Sequence, residues 1–224
     1  MLGTFVGVSV LWAFVRKPLH EARQLYPLRR ELQTVKFSEA YVRDALANQP
    51  RQLPYLDGQQ PIILGNEAAP NTLTVITNPA CEGCRIVHQK LIALLEQMPD
   101  LRVEIVLVAN TNPDDRAGQV AQHLLGLPAN QIEKALQRWF DNPQQSLTGW
   151  VHNVSAPPIN EQTRQQLALN GHWHSKSGFR YTPVVFFNGV LLPPIYRLSD
   201  LPNLCRMRLD EPLAQLERDS IESV

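Results

Sequence analysis

The chain has 224 residues, 44% of them hydrophobic and 19% charged, which is enough to bury the core of one medium domain and too apolar for a disordered chain. Its 21 Lys and Arg balance 21 Asp and Glu. With no dense basic run, this argues against nucleic acid as a partner, because phosphate binding needs a one-sided surplus of positive charge. Three cysteines, two of them close together, are too few for a disulfide-stapled scaffold and fit cysteines that do chemistry.

Met1 to Val15 is almost wholly apolar and is closed by Arg16-Lys17. A helix of that length is about 22 Å long, short of the about 30 Å hydrocarbon layer. It lacks a basic start and a small-residue cleavage site, so it does not read as a signal peptide. The expectation for residues 1–17 is an apolar membrane anchor, or the remnant of a transmembrane helix that begins outside this chain. A buried helix or a loose terminus is the plainer alternative. Residues 18–60 read as a charged helical connector running into the start of a hairpin. Pro18 and Pro27 are expected to break or start helices there, leaving one or two short ones. Leu53 and Tyr55, then Ile62 to Leu64, flank the turn pair Asp57-Gly58 and predict the hairpin.

Residues 61–210 carry the body, and 211–224 read as a polar tail. Thr72 to Thr77 is short and rich in β-branched residues, so it predicts a buried strand. A helix follows from Cys84, with Ile86, Val87, Leu91, Leu94 and Leu95 on one face. Leu101 to Ala109 predicts a second strand. From about 112 to 178 the pattern is helical, opened by Asp114-Asp115 and continued after Pro128 and from Thr163. Its aromatics, Trp139 and Phe140, read as core. Pro183 to Phe187, the turn Asn188-Gly189 and Val190 to Leu192 predict a closing hairpin, and a last helix runs from Ser199 to about Met207. The order is β-α-β, helices, then β-β-α, an α/β fold.

Cys81 and Cys84 stand in the segment Asn78-Pro79-Ala80-Cys81-Glu82-Gly83-Cys84, between a strand and a helix. A cysteine at a helix N-terminus faces unpaired N–H groups and the positive end of the helix dipole, which favours thiolate. The first sulfur is then an exposed nucleophile, and the second, one turn inside, can resolve a mixed disulfide. The same spacing also serves structural zinc, which would need two further ligands from residues such as His88, His172 and His174. Inert buried cysteines are the third reading. A second feature is Tyr181-Thr182-Pro183 at the entry of an apolar strand. Proline there removes a ladder N–H, and a cis bond would present the preceding backbone to a bound peptide. A strand-edge proline is the plain alternative.

Together these motifs resemble the thioredoxin superfamily, and the helical insertion between the β-α-β and β-β-α halves resembles its DsbA-like branch. More closely, Asn78 to Cys84 and Thr182 to Gly189, with Leu192-Pro193 and Tyr196, are similar to the thioredoxin domain fused behind bacterial vitamin K epoxide reductase-like membrane proteins. The likeness covers about residues 61 to 207. It implies a protein-disulfide oxidoreductase with Cys81 as nucleophile, Cys84 as resolving thiol, and Tyr181, Thr182 and cis-Pro183 as the substrate-binding backbone. Partners would be protein thiols or disulfides, or a membrane domain that reduces quinone. No cofactor and no metal is implied. A peptide-binding module on the same fold, without redox turnover, is the rival reading.

Two residues depart from the pattern. Many thioredoxins carry a buried acid six residues before the first cysteine, and this chain has Val75 there. Proton transfer would then fall to water, Glu104 or His88, with His88 itself expected to be exposed. Between the cysteines, beside Gly83, Glu82 places negative charge near the sulfur; it is expected to raise the Cys81 pKa and temper the couple's oxidising strength. Cys205 reads as a small core residue. Arg16-Lys17 would place the body in the cytoplasm by the positive-inside tendency, whereas the resemblance implies the periplasm, which is the expectation preferred here.

Overall fold

The computed structural model describes residues 2–207. Contacts divide these into two compact units, one up to Ala47 and one from Asn48 onward. The first holds two helices, α1 (Leu2–Lys36) and α2 (Glu39–Ala47). Helix α1 runs through Pro18 and Pro27, which were expected to interrupt it. Each proline removes one backbone bond, and the flanking Leu, Glu, Arg and Gln residues propagate the helix past that local loss. The apolar start is therefore continuous with a charged helix. Among the described residues, no helix is long and apolar enough to cross a membrane, and the anchor expectation finds no support. The polar tail lies outside the described residues.

The second unit is built on a five-stranded sheet in the order β1-β3-β2-β4-β5. Strands β2 (Asn71–Thr77) and β3 (Leu101–Leu107) are parallel and central, joined by α3 (Glu82–Gln97) as the crossover a parallel pair requires. Both are covered on two faces, which explains their near-continuous apolar and β-branched runs. Strand β1 (Ile62–Gly65) pairs antiparallel with β3, β4 (Val184–Phe187) pairs antiparallel with β2, and β5 (Val190–Leu191) closes the edge. The hairpin predicted at Asp57-Gly58 does not form. Residues 53–55 lie outside the sheet, and β1 takes β3 as its partner instead. Pro50, Pro54 and Pro61 deprive this stretch of ladder donors. It is held instead by the Trp173 indole N–H donating to the Pro54 carbonyl at 2.9 Å and by Tyr55, whose hydroxyl donates to Glu104 at 2.6 Å. Residues 48–60 thus belong to the body rather than to a connector.

The helical block contains α4 (Arg116–Leu125), α5 (Ala129–Asp141), α6 (Leu147–Val154) and α7 (Glu161–Lys176). Helix α6 has no counterpart in the sequence reading. Its Thr148, Gly149, Val151 and Val154 are weak helix formers, and the Ser146 cap and buried Trp150 fix it in place. Trp139 and Phe140 are core residues, as expected, and Trp150 and Trp173 are buried with them. A 3₁₀ turn (Leu198–Asp200) leads into α8 (Leu201–Arg206).

Candidate active site at the start of helix α3

Strand β2 ends at Thr77, and the chain turns through Asn78 and Pro79 before α3 begins. The Asn78 side chain accepts from the Ala80 N–H at 2.8 Å, and its carbonyl accepts from the Cys81 N–H at 3.1 Å. Pro79 is buried, and its carbonyl accepts from the Trp139 indole N–H at 2.8 Å, which ties the loop to α5. Cys81 is the N-cap of α3, and its sulfur accepts from the Cys84 N–H at 3.2 Å. A sulfur in that position meets the donors that a helix leaves open at its first turn.

Cys81 is half-buried and Cys84 fully buried, both as free thiols. Their environments push them in opposite directions. Burial favours the neutral Cys81 thiol, but hydrogen bonds from the Cys84 and Thr182 side chains and from the N–H groups of Cys84 and Gly83 outweigh it. The net pKa lies below the ordinary thiol value. Cys84 is pushed up to about 11, first by burial and then by its hydrogen bond to Cys81, against weaker help from Thr182, Thr77 and Asn78. The result is a half-buried sulfur disposed to ionise and a fully buried one that holds its proton.

The Thr182–Pro183 bond is cis, as expected from the strand-entry proline. The Thr182 carbonyl accepts from the Cys81 thiol at 3.2 Å, so the loop before β4 lies directly against the reactive sulfur. Gly83 permits this approach: a Cβ there would lie 3.1 Å from the Pro183 ring. Tyr181 is exposed beside it. A groove of about 400 Å³ runs alongside, lined by residues that include Ile86, Val87, Tyr181, Pro183, Leu192 and Tyr196. Ile86, placed by periodicity on the packed face of α3, instead lines this groove.

Three sequence expectations change. Glu82 does not act on Cys81: its carboxylate is turned to Arg85, which donates from Nε at 2.9 and 3.0 Å, and that bond holds the Glu82 pKa down. The charge argument for a tempered couple therefore falls. Glu104 lies on the other side of the sheet. Thr74 and Ile76 face opposite to Val75 and Thr77, and Glu104 is occupied by Thr74, Tyr55 and Arg102 on that far face. His88, expected to be exposed, is buried, bonded to Thr77 at 3.0 Å and stacked on Phe140 with ring centroids 4.0 Å apart. Helical spacing carried the signal, since residues 84, 88 and 91 share one face. Val75 is buried between β3 and β4 neighbours and offers no proton. Among the described residues, no group of three or more His, Cys, Asp or Glu is placed to hold a metal. Cys205, half-buried, is pushed up to about 11 by burial.

Strand order, crossover helix, helix-capping cysteine and cis-proline loop define a thioredoxin-like fold. A helical insertion between its halves places it with the DsbA-like architectures. The chain superposes on a linker-deletion mutant of Proteus mirabilis ScsC with a TM-score of 0.56 and 19% identity, covering 90% of this chain and 94% of that one. It is similar also to a periplasmic thioredoxin-like protein from Salmonella enterica serovar Typhimurium, with a TM-score of 0.54, 17% identity and coverage of 79% and 98%. A third similar structure is the DsbA-type thiol–disulfide exchange protein of Wolbachia pipientis, at 0.53, 13% identity and coverage of 78% and 95%. No protein-family model and no curated protein matches the chain.

Proposed function

We propose that the chain is a thiol–disulfide oxidoreductase acting on protein substrates through Cys81 and Cys84. The observation that carries this reading is the helix-capping Cys81, with its lowered pKa, set beside a buried Cys84 and under the Thr182–Pro183 loop. In the reducing direction the Cys81 thiolate attacks a substrate disulfide, and one substrate sulfur leaves as thiolate. Cys84 then attacks the Cys81 sulfur of the mixed disulfide. The second substrate sulfur leaves, two electrons have passed to the substrate, and Cys81 is joined to Cys84. The oxidising direction is the reverse.

The body would work in the periplasm, as the Salmonella structure is described. Its own redox partner would be a quinone-reducing membrane domain of the vitamin K epoxide reductase-like kind. Motif likeness around Cys81 and Pro183 supports that pairing.

Turnover of insulin disulfides with a thiol reductant tests the central reading. Wild type is expected to accelerate reduction and Cys81→Ser to fall to the uncatalysed rate. A wild type no faster than the uncatalysed rate would favour a peptide-binding module that uses the groove without exchange, and undiminished activity in the variant would remove Cys81 as the nucleophile.

A further inference from the structure

Resolution of the mixed disulfide needs the Cys84 proton to leave, and this sulfur is buried and holds its proton tightly. No acid stands on its side of the sheet at Val75, and Glu104 is on the other face. The Asn78 N–H donates to the sulfur at 3.5 Å, and the Thr77 side chain, one residue earlier, lies near enough to lower the Cys84 pKa against the effect of burial. The Thr77 hydroxyl in turn bonds His88 Nε2 at 3.0 Å. His88 is 2% exposed, one helical turn beyond Cys84, and its ring is held flat against Phe140 with 9° between the planes. It also lines a cleft of about 190 Å³ between α3 and α5, whose walls include Gln89, Glu96, Gln137 and Asp141. A buried, fixed imidazole therefore stands between the resolving sulfur and an opening to solvent.

We propose that Thr77 and His88 form the proton path of Cys84, standing in for the absent buried acid and opening to water through the α3–α5 cleft. This rests on the redox reading given above. As Cys84 attacks, its S–H bond breaks and the proton passes to Thr77 Oγ1. The hydroxyl proton of Thr77 passes to His88 Nε2, and the ring releases its Nδ1 proton to cleft water. The new S–S bond forms between Cys84 and Cys81, and the substrate sulfur leaves with the electron pair. The path runs backwards when the active-site disulfide is reduced. A neutral ring is required, with Nδ1 protonated and Nε2 accepting. The surroundings favour that form. Burial alone sets the direction of the ring's pKa, which is pushed down to about 3. The charged groups of the two helices, Glu96 on α3 and Asp141 on α5, line the cleft, and Arg85 is engaged with Glu82 and Asp141. Thr77 adjoins the resolving sulfur; His88 acts through it, as a positioning residue.

Stopped-flow reaction of the fully reduced protein with oxidised glutathione separates the steps. Formation of the mixed disulfide depends on glutathione concentration, and release of the second glutathione does not. In Thr77→Val and His88→Phe, the concentration-independent step is expected to slow on the order of a hundredfold at neutral pH. It should then regain rate as pH rises toward the Cys84 pKa. The concentration-dependent step should keep its wild-type rate, and Thr77→Ser, which retains the hydroxyl, should keep both. An unchanged second step in Thr77→Val, or an equal loss in Thr77→Ser, would overturn the path while leaving the redox reading intact. A wild-type protein that does not react at all would overturn both.

Discussion

Cys81 and Cys84 are three residues apart and chemically alike, yet the fold makes them unlike. The difference comes from what surrounds each sulfur. Cys81 receives hydrogen bonds from a helix start and from the loop at Thr182, whereas Cys84 is enclosed with few donors. His88 shows the same logic with the opposite charge type, because burial disfavours its cation. A histidine whose folded pKa is depressed contributes full stability above its unfolded value of about 6.5. That contribution falls as pH drops below 6.5 and is gone once pH passes the folded value of about 3. On acidification to pH 4.5 the unfolded chain's His88 takes up a proton that the folded ring does not, which should cost about 2 kcal/mol of stability by that linkage. Urea denaturation at pH 7 and 4.5 checks it. His88→Phe should show a smaller loss than wild type between the two values, and equal losses would place the acid sensitivity elsewhere. His88 was visible in the sequence as a residue one turn past Cys84. Its burial was not, because Phe140 on helix α5, which covers it, lies more than 50 residues further along the chain.

At the scale of elements, the insertion is coupled to the site through α5. Trp139 donates its indole N–H to the Pro79 carbonyl, packs edge-on against Trp150 at 5.4 Å, and carries the Arg116 guanidinium over its ring at 5.0 Å. Trp139→Phe keeps most of the apolar contact but leaves a buried carbonyl without its donor, and should lower stability by about 2 kcal/mol. Chemical denaturation measures this, and an unchanged midpoint would mean that the loop does not depend on α5. The strands β2, β3 and β4 and the helix α3 were legible because their periodicity and turn residues agree with their burial. Three elements were not. Helix α1 continues past two prolines, and local rules overstate their power to stop an otherwise favourable helix. The stretch before β1 carries good turn chemistry, but its prolines cannot build a second strand. Helix α6 is made of poor helix formers and depends on a Ser146 cap and a buried Trp150, which is tertiary information.

At the scale of the whole molecule, the body from Asn48 follows the β-α-β, helical insertion, β-β-α order that the sequence implied. The two cysteines and Thr182-Pro183, about 100 residues apart, meet at 3.2 Å between Cys81 and the Thr182 carbonyl. That meeting was legible only through resemblance to a known architecture, since no spacing rule joins such distant segments. The charge role of Glu82 failed for a local reason: Arg85, three residues on, takes up its carboxylate. On the proposed function, Cys81 and Cys84 form one reversible two-electron couple. Equilibration in glutathione buffers of graded ratio, followed by acid quench, thiol alkylation and mass analysis, tests it most directly. Cys81 and Cys84 are expected to become protected together as the buffer grows more oxidising, and to be released together when it is reversed, with Cys205 alkylated throughout. Cys81 and Cys84 remaining separately alkylatable at every ratio would contradict it.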